Sequence, residues 1–180
     1  MAAINDSSKK GVQMEIIIRA TEPEDAEHYQ RIYSHPEVYS NTLQRPCPSR
    51  EMWRERLQQF KAQGNPEFVA EVNGKVVGTV GIFTYANPRR KHTVGFGIAV
   101  DVDYSGQGVG SKMLAFVIDY AFNWLGCIRI ELEVFFDNEK AINLYKKFGF
   151  EMEGTRRMQT LRNGQYCDVI GMALINNRLI

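Results

Sequence analysis

At 180 residues the chain has the size of one domain and is long enough to bury a sizeable core. Lys and Arg total 22 against 21 Asp and Glu, a balance that gives no reason to expect nucleic acid or an anionic membrane as a partner. A hydrophobic fraction of 44% excludes extensive disorder.

Residues 1–13 are largely polar and lack the apolar core of a signal peptide. They are expected to form a flexible tail ahead of a single domain over residues 14–180. Residues 15–19 (Glu-Ile-Ile-Ile-Arg) predict a first strand, and residues 22–34 a helix with Pro23 in its first turn. Residues 35–48 carry three prolines and are not regular throughout. Ser49 caps a second helix with Trp53, Leu57 and Phe60 on one face, ending near Gly64.

Residues 68–72 and 75–83 are strands joined by Asn73-Gly74, a hairpin signal. A third strand covers residues 92–100. The helix predicted over residues 108–124 places Val109, Met113, Val117, Ala121 and Trp124 on one face and ends at Gly126. Its apolar stretch is broken by Asp119 and is too short to span a bilayer, so the chain is expected to be soluble. Residues 128–135 form a strand. Residues 138–148 form a helix with Ala141, Leu144, Tyr145 and Phe148 on one face. Two last strands, 150–161 and 165–174, flank a second hairpin signal, Asn163-Gly164. This order implies a mixed α/β sheet with helices on both faces.

Cys47, Cys127 and Cys167 are odd in number and form no CxxC pair. A disulfide framework and a metal knuckle are not expected, and a reducing cytoplasm is the natural compartment.

The sharpest motif is Tyr104-Ser105-Gly106-Gln107-Gly108-Val109-Gly110-Ser111-Lys112, set between a strand and a helix. Glycines allow a tight turn that gathers N–H groups, and the helix N-terminus behind them adds roughly half a positive charge. A pyrophosphate is the expected guest. A nucleotide P-loop would need Gly-Lys-Ser/Thr after four intervening residues, and that order is absent. A dinucleotide fingerprint would need glycine where Ser111 stands, although Glu131 lies at a suitable distance. A tight turn with no ligand is the third reading.

The segment Asp137-Asn138-Glu-Lys-Ala141-Ile-Asn-Leu-Tyr145-Lys-Lys-Phe148-Gly149-Phe150 resembles the second signature of the GNAT acetyltransferase superfamily, Asn-x-x-Ala-x-x-x-Tyr-x-x-x-Gly-Phe. The glycine loop resembles that family's Arg/Gln-x-x-Gly-x-Gly/Ala element, with Ser105 at the Arg/Gln position. His35-Pro-Glu-Val-Tyr39-x-Asn41-Thr-Leu-Gln44, Met52-Trp53-x-Glu-Arg56-Leu57, Asn123-Trp-Leu125 and Leu161-Arg-Asn-Gly164-x-Tyr166 look like a bacterial subgroup of L-amino-acid N-acetyltransferases.

The resemblance implies the GNAT acyl-CoA N-acyltransferase fold, with a mostly antiparallel central sheet and helices on both faces. It implies acetyl-CoA as acetyl donor, no metal, a small-molecule amine as acceptor, and a possible homodimer. The main chain of Ile98, Ala99 and Val100 would pair with the pantetheine amides where two strands splay. Gly95 and Gly97 fit a bulge there. Ser105, Gly106, Gln107, Gly108, Val109, Gly110 and Ser111 would hold the pyrophosphate.

Asn138 would combine an N-cap with a cofactor contact. Tyr145 would be the general acid, since a phenol stays protonated at neutral pH and can donate to a departing thiolate. The base stays open between His92, Glu131 or Glu133, and a water chain.

Glu37, Tyr39 and Trp53 would wall the acceptor side, where aromatic residues suit the α-amine of a free apolar L-amino acid such as Phe or Met. An α-amine titrates below a lysine amine, so more of it is neutral at working pH. Phosphinothricin-like amino-acid analogues, polyamines and protein N-termini are the alternatives. A non-enzymatic CoA-binding module and a nucleotide-dependent oxidoreductase are rivals of another class.

Overall fold

The computed structural model describes residues 14–177; the tail expected over residues 1–13 lies outside them. Seven strands form one sheet: β1 (Ile17–Ala20), β2 (Glu67–Val72), β3 (Lys75–Thr84), β4 (Thr93–Val100), β5 (Arg129–Phe135), β6 (Glu151–Arg162) and β7 (Gln165–Ile175). Their order is β1-β2-β3-β4-β5-β7-β6. Every neighbouring pair is antiparallel except β4–β5, which is parallel, so the mixed and mostly antiparallel sheet is as expected.

The helices are α1 (Ala26–Tyr33), α2 (Pro36–Tyr39), α3 (Arg50–Ala62), α4 (Val109–Asp119) and α5 (Glu139–Lys147). Local chemistry sets their starts. Ser49 Oγ accepts from Met52 N at 3.0 Å to open α3, and Asn138 Oδ1 accepts from Ala141 N at 3.2 Å to open α5. Both hairpins turn through Asn-Gly pairs with positive φ: 49° and 77° at Asn73-Gly74, 50° and 79° at Asn163-Gly164. That is the twist two-residue hairpins require.

Three expectations need correction. The first helix enters through a 3-10 turn, Pro23–Asp25, because the Asp25 carboxylate binds back to Glu22 N. The α4 helix widens into a π-turn over Tyr120–Trp124, with Leu125 N donating to Tyr120 O. The wider turn rotates Trp124 off the apolar face, and it is 75% exposed. The bulge expected at Gly95 and Gly97 is absent, since the β3–β4 register runs without a break from Gly78↔Val100 to Thr84↔Val94.

Strand alternation divides the core. Ala70, Val80, Ile82, Val94 and Phe96 pack with residues of α4 such as Met113 and Leu114. Val69, Val76 and Ala99 pack on the other side with Tyr29, Ile32, Trp53 and Leu57 of α1 and α3.

The β4–β5 ladder holds only three pairs, Thr93↔Arg129, Val94↔Ile130 and Gly95↔Glu131. Beyond Gly95, β4 continues with β3 to Val100, while β5 continues with β7 to Phe135. The two strands therefore part in the middle of the sheet.

An ion cluster fixes α1 to the sheet edge. Arg19 donates to both Asp25 oxygens at 2.8 and 2.9 Å and to Glu71 Oε2 at 2.9 Å. Burial pushes the Asp25 carboxyl up, but the Arg19 guanidinium and the Glu22 N–H outweigh it and hold the carboxyl below its usual range. A lowered folded pKa adds stability that is fully present above the unfolded value near ~3.9 and is lost as pH falls through the folded value. Breaking a buried pair typically costs about 3–5 kcal/mol. Asp25→Asn is expected to cost about 2–3 kcal/mol at pH 7, because Arg19 is 36% exposed and keeps Glu71. Urea unfolding of wild type and variant should show this gap at pH 7 and a smaller one at pH 3.

Candidate active site

A cavity of about 1080 Å³ opens where β4 and β5 part. It runs from the glycine loop and α5 on one side to α1 and α3 on the other.

The loop enters through a 3-10 turn, Val102–Tyr104, anchored by the buried Asp101 carboxylate, which accepts from Asp103 N at 3.2 Å and pairs with Arg31. Gly108 caps α4 at φ +90°, a conformation that strains any side-chain-bearing residue. The first intrahelical bond in this turn runs from Lys112 N to Gly108 O. The N–H groups of Val109, Gly110 and Ser111 thus lie in the unpaired first turn, where the helix dipole favours an anion. Lys140 of α5 donates to Ser105 Oγ, which brings a cation to the loop.

Along β4, Asp101 N donates to Val77 O on β3. Antiparallel pairing alternates, so the main chain of Ala99 also faces β3, whereas that of Ile98 and Val100 faces the gap. Of the three residues expected to offer main-chain groups, two turn them toward the parting strands.

Tyr145 lines the same gap. Its ring meets Phe96 at 5.9 Å and Phe150 at 5.8 Å, and burial pushes its hydroxyl up to about 12. It is protonated throughout the physiological range.

The α1/α3 side is aromatic. Trp53 stacks on Tyr33 at 4.6 Å and tilts against Tyr29 at 5.1 Å. The Arg56 guanidinium lies 5.0 Å from the Trp53 ring and 5.1 Å from Phe60, and donates to the neutral amide of Gln44 at 2.6 Å. Trp53 is only 2% exposed, and its indole Nε1 is buried without a hydrogen-bond partner among the described residues. Glu67, at the start of β2, accepts from the Tyr29 hydroxyl at 3.1 Å. Burial pushes its carboxyl up to about 7, against the Tyr29 hydrogen bond and the Arg56 charge.

Most residues expected at the site line this one cavity: Ile98, Ala99 and Val100; Ser105, Gly106, Gly108, Gly110 and Ser111; Asn138, Tyr145, Glu37 and Trp53. Gln107 and Tyr39 are not among the lining residues, and Val109 is buried in the core below the loop. His92 is exposed, lies outside the cavity lining, and serves through its carbonyl, which accepts from Ile128 N and Arg129 N. Glu131 lines the cavity but is held by Tyr85, Arg90 and Arg129, and Glu133 by Arg156 and Gln159. Burial pushes Glu131 up, yet its partners together keep it below the usual carboxylate range.

Glu67 and Lys140 carry no sequence signal, since their partners lie 38 and 35 positions away. Arg56 does carry one: Trp53 and Phe60 flank it three and four positions away on α3, a spacing that brings side chains together on one helix face. Among the described residues there is no group of three or more His, Cys, Asp or Glu able to hold a metal. None of the described helices is long and apolar enough to cross a membrane.

The Acetyltransferase (GNAT) family profile matches residues 27–150. The chain is 47% identical to the L-amino acid N-acetyltransferase AaaT of Escherichia coli over 161 residues, 89% of this chain and 98% of that protein. It superposes with a TM-score of 0.81 on an N-acetyltransferase from Staphylococcus aureus, at 22% identity over 89% of this chain and 98% of that one. A putative acetyltransferase from Salmonella typhimurium, solved with its cofactor acetyl-CoA, superposes with a TM-score of 0.78 at 22% identity, over 89% of this chain and 93% of that one. The unpaired amides, the parted strands and these likenesses agree: the chain belongs to the GNAT acetyltransferase family and is an acetyl-CoA-dependent N-acetyltransferase.

Proposed function

We propose that the acceptor is the α-amine of a free L-amino acid with an apolar side chain, such as Phe or Met. The observation that carries this is Arg56, a cation set among aromatic rings on the cavity wall opposite the glycine loop. A fixed guanidinium beside apolar surface matches a carboxylate next to an apolar side chain. It repels a polyamine. The likeness to an L-amino acid N-acetyltransferase supports the same acceptor.

In this reading the donor's pyrophosphate sits on the first-turn amides of α4, with Lys140 beside them. The gap-facing main chain of Ile98 and Val100 pairs with the pantetheine. The acceptor enters from the α1/α3 side, and its nitrogen attacks the thioester carbonyl. Tyr145 donates its proton to the departing sulfur. Phe96 and Phe150 fix the phenol ring, and burial keeps it protonated until that moment.

Gly108→Val is expected to raise the acetyl-CoA Kd about tenfold or more in calorimetry, since a side chain at this φ forces the loop to rearrange. Tyr145→Phe keeps the edge-on and tilted ring contacts with Phe96 and Phe150 and should leave that Kd unchanged while lowering kcat by roughly 10²–10⁴-fold. The acceptor is tested with kcat/KM for L-Phe, L-Met, spermidine, a lysine peptide and a phosphinate amino acid. Arg56→Gln should raise KM for L-Phe by about 10–100-fold and leave that for phenethylamine, which has no carboxylate, unchanged. Preference for spermidine or the peptide would reject the proposal, and preference for the phosphinate would select the xenobiotic alternative.

A further inference from the structure

Two carboxylates in the cavity lining have no expected role, Glu67 and Glu153, and Arg129 holds both oxygens of Glu153. Glu67 stands at the start of β2, in register with Gly81 on β3, and Gly81 in turn with Gly97 on β4. Directly opposed residues point to one face, so these three form a lane across the sheet on the α1/α3 side. Two of its positions are glycine. A Cβ at Gly81 would stand 2.2 Å from Glu67 Oε1, so the carboxyl lies in the space that the missing side chain vacates. Strands are spaced about 4.8 Å apart, which leaves this oxygen roughly one strand from the Gly97 position where β4 and β5 part. Tyr29 holds the other oxygen, Oε2, and so fixes which oxygen faces the lane.

We infer that Glu67 is the general base of the transfer, taking the proton from the acceptor nitrogen directly or through one water. The inference rests on the acetyl-transfer reading above and supplies the base that it leaves open. The balance is simple. The neutral amine attacks the thioester carbonyl, and the C–N bond forms. Glu67 takes one proton from the nitrogen, the C–S bond breaks, and Tyr145 gives one proton to the sulfur. The proton gained by Glu67 equals the one lost by Tyr145, and solvent returns it.

The titratable groups facing Glu67 are Tyr29 and Tyr33 of α1 and Arg56 of α3. Both phenols are raised by burial and stay neutral, so Arg56 is the one charge among them. A carboxyl pushed up to about 7 by burial is largely ionised at pH 7.5 and still a competent proton acceptor. Glu131 is held by Arg90 and Arg129, and Glu133 by Arg156 and Gln159, so neither can serve as readily.

The test is the pH dependence of kcat for wild type and Glu67→Gln, with whichever amine of the acceptor panel turns over fastest. A wrong acceptor assignment then changes the amine and leaves this comparison intact. Wild type should show an acidic limb near pH 7. Glu67→Gln should lack that limb, with kcat lower by roughly 10²–10⁴-fold and acetyl-CoA affinity retained. Folding is checked independently. A raised carboxyl pKa costs stability as pH rises through 7, so the variant should melt at or above wild type at pH 8.5. An unchanged acidic limb in Glu67→Gln would overturn the inference. Gly81→Ala, which displaces the carboxyl without removing it, should lower kcat in wild type and add nothing in the Glu67→Gln background. An equal loss in both backgrounds would assign Gly81 to packing and refute the route across the sheet.

Discussion

The site depends on the parting of β4 from β5. A parallel ladder of three pairs stops at Gly95, and both strands continue with other partners. Each is therefore held away from the other: β4 by its antiparallel pairing with β3, β5 by seven pairs with β7. Closing the gap would break one of these ladders. The backbone groups of Ile98 and Val100 are left without a strand partner, and buried polar groups demand one. The chain then turns directly into the glycine loop, so the unpaired first-turn amides of α4 lie beside them. One extended ligand carrying both amides and phosphates would satisfy the two sets together.

Alternation along β4 does the rest. Ile98 and Val100 turn their side chains toward the α4/α5 core, and Ala99 turns toward α1 and α3. Gly95 and Gly97 share the face of Ala99 and present no side chain there. They form no bulge, and a Cβ at Gly97 would meet the Phe83 ring at an ordinary contact distance of 3.7 Å. Donor and acceptor can thus approach one stretch of backbone from different directions.

The element order, both hairpins, the helix caps and the glycine loop were legible in the sequence because each is a local signal. Asn-Gly pairs, capping side chains and apolar periodicity act over a few residues. The acceptor side was legible only in part. Trp53 was visible on its helix, but Glu67 acquires meaning only from a three-strand register that the sequence does not display. His92 opens the β4 strand six residues before Ile98, and at about 3.3 Å per residue that places it about 20 Å along the strand from Ile98. Trp124 was misplaced because a helical wheel assumes 3.6 residues per turn, and the π-turn does not keep that period.

The polar groups of the α1/α3 side are placed at a cost that the rest of the fold does not carry. At the sheet edge, Asp25 is buried with every charge answered by Arg19 and Glu22 N, and the arrangement holds α1 in place. A few ångströms along the chain, Tyr29 and Tyr33 enclose Glu67, which the Tyr29 hydroxyl and the Arg56 charge answer against its burial only in part, and Trp53 Nε1 has no acceptor among the described residues. An unmet buried donor costs about 1–3 kcal/mol. One unmet donor and one carboxyl strained by burial in the same aromatic wall are poor for stability but suit a ligand that brings a carboxylate and an amine. The same helix thus supplies both conditions: a satisfied ion cluster that makes it rigid, and an unsatisfied pocket that rigidity keeps open.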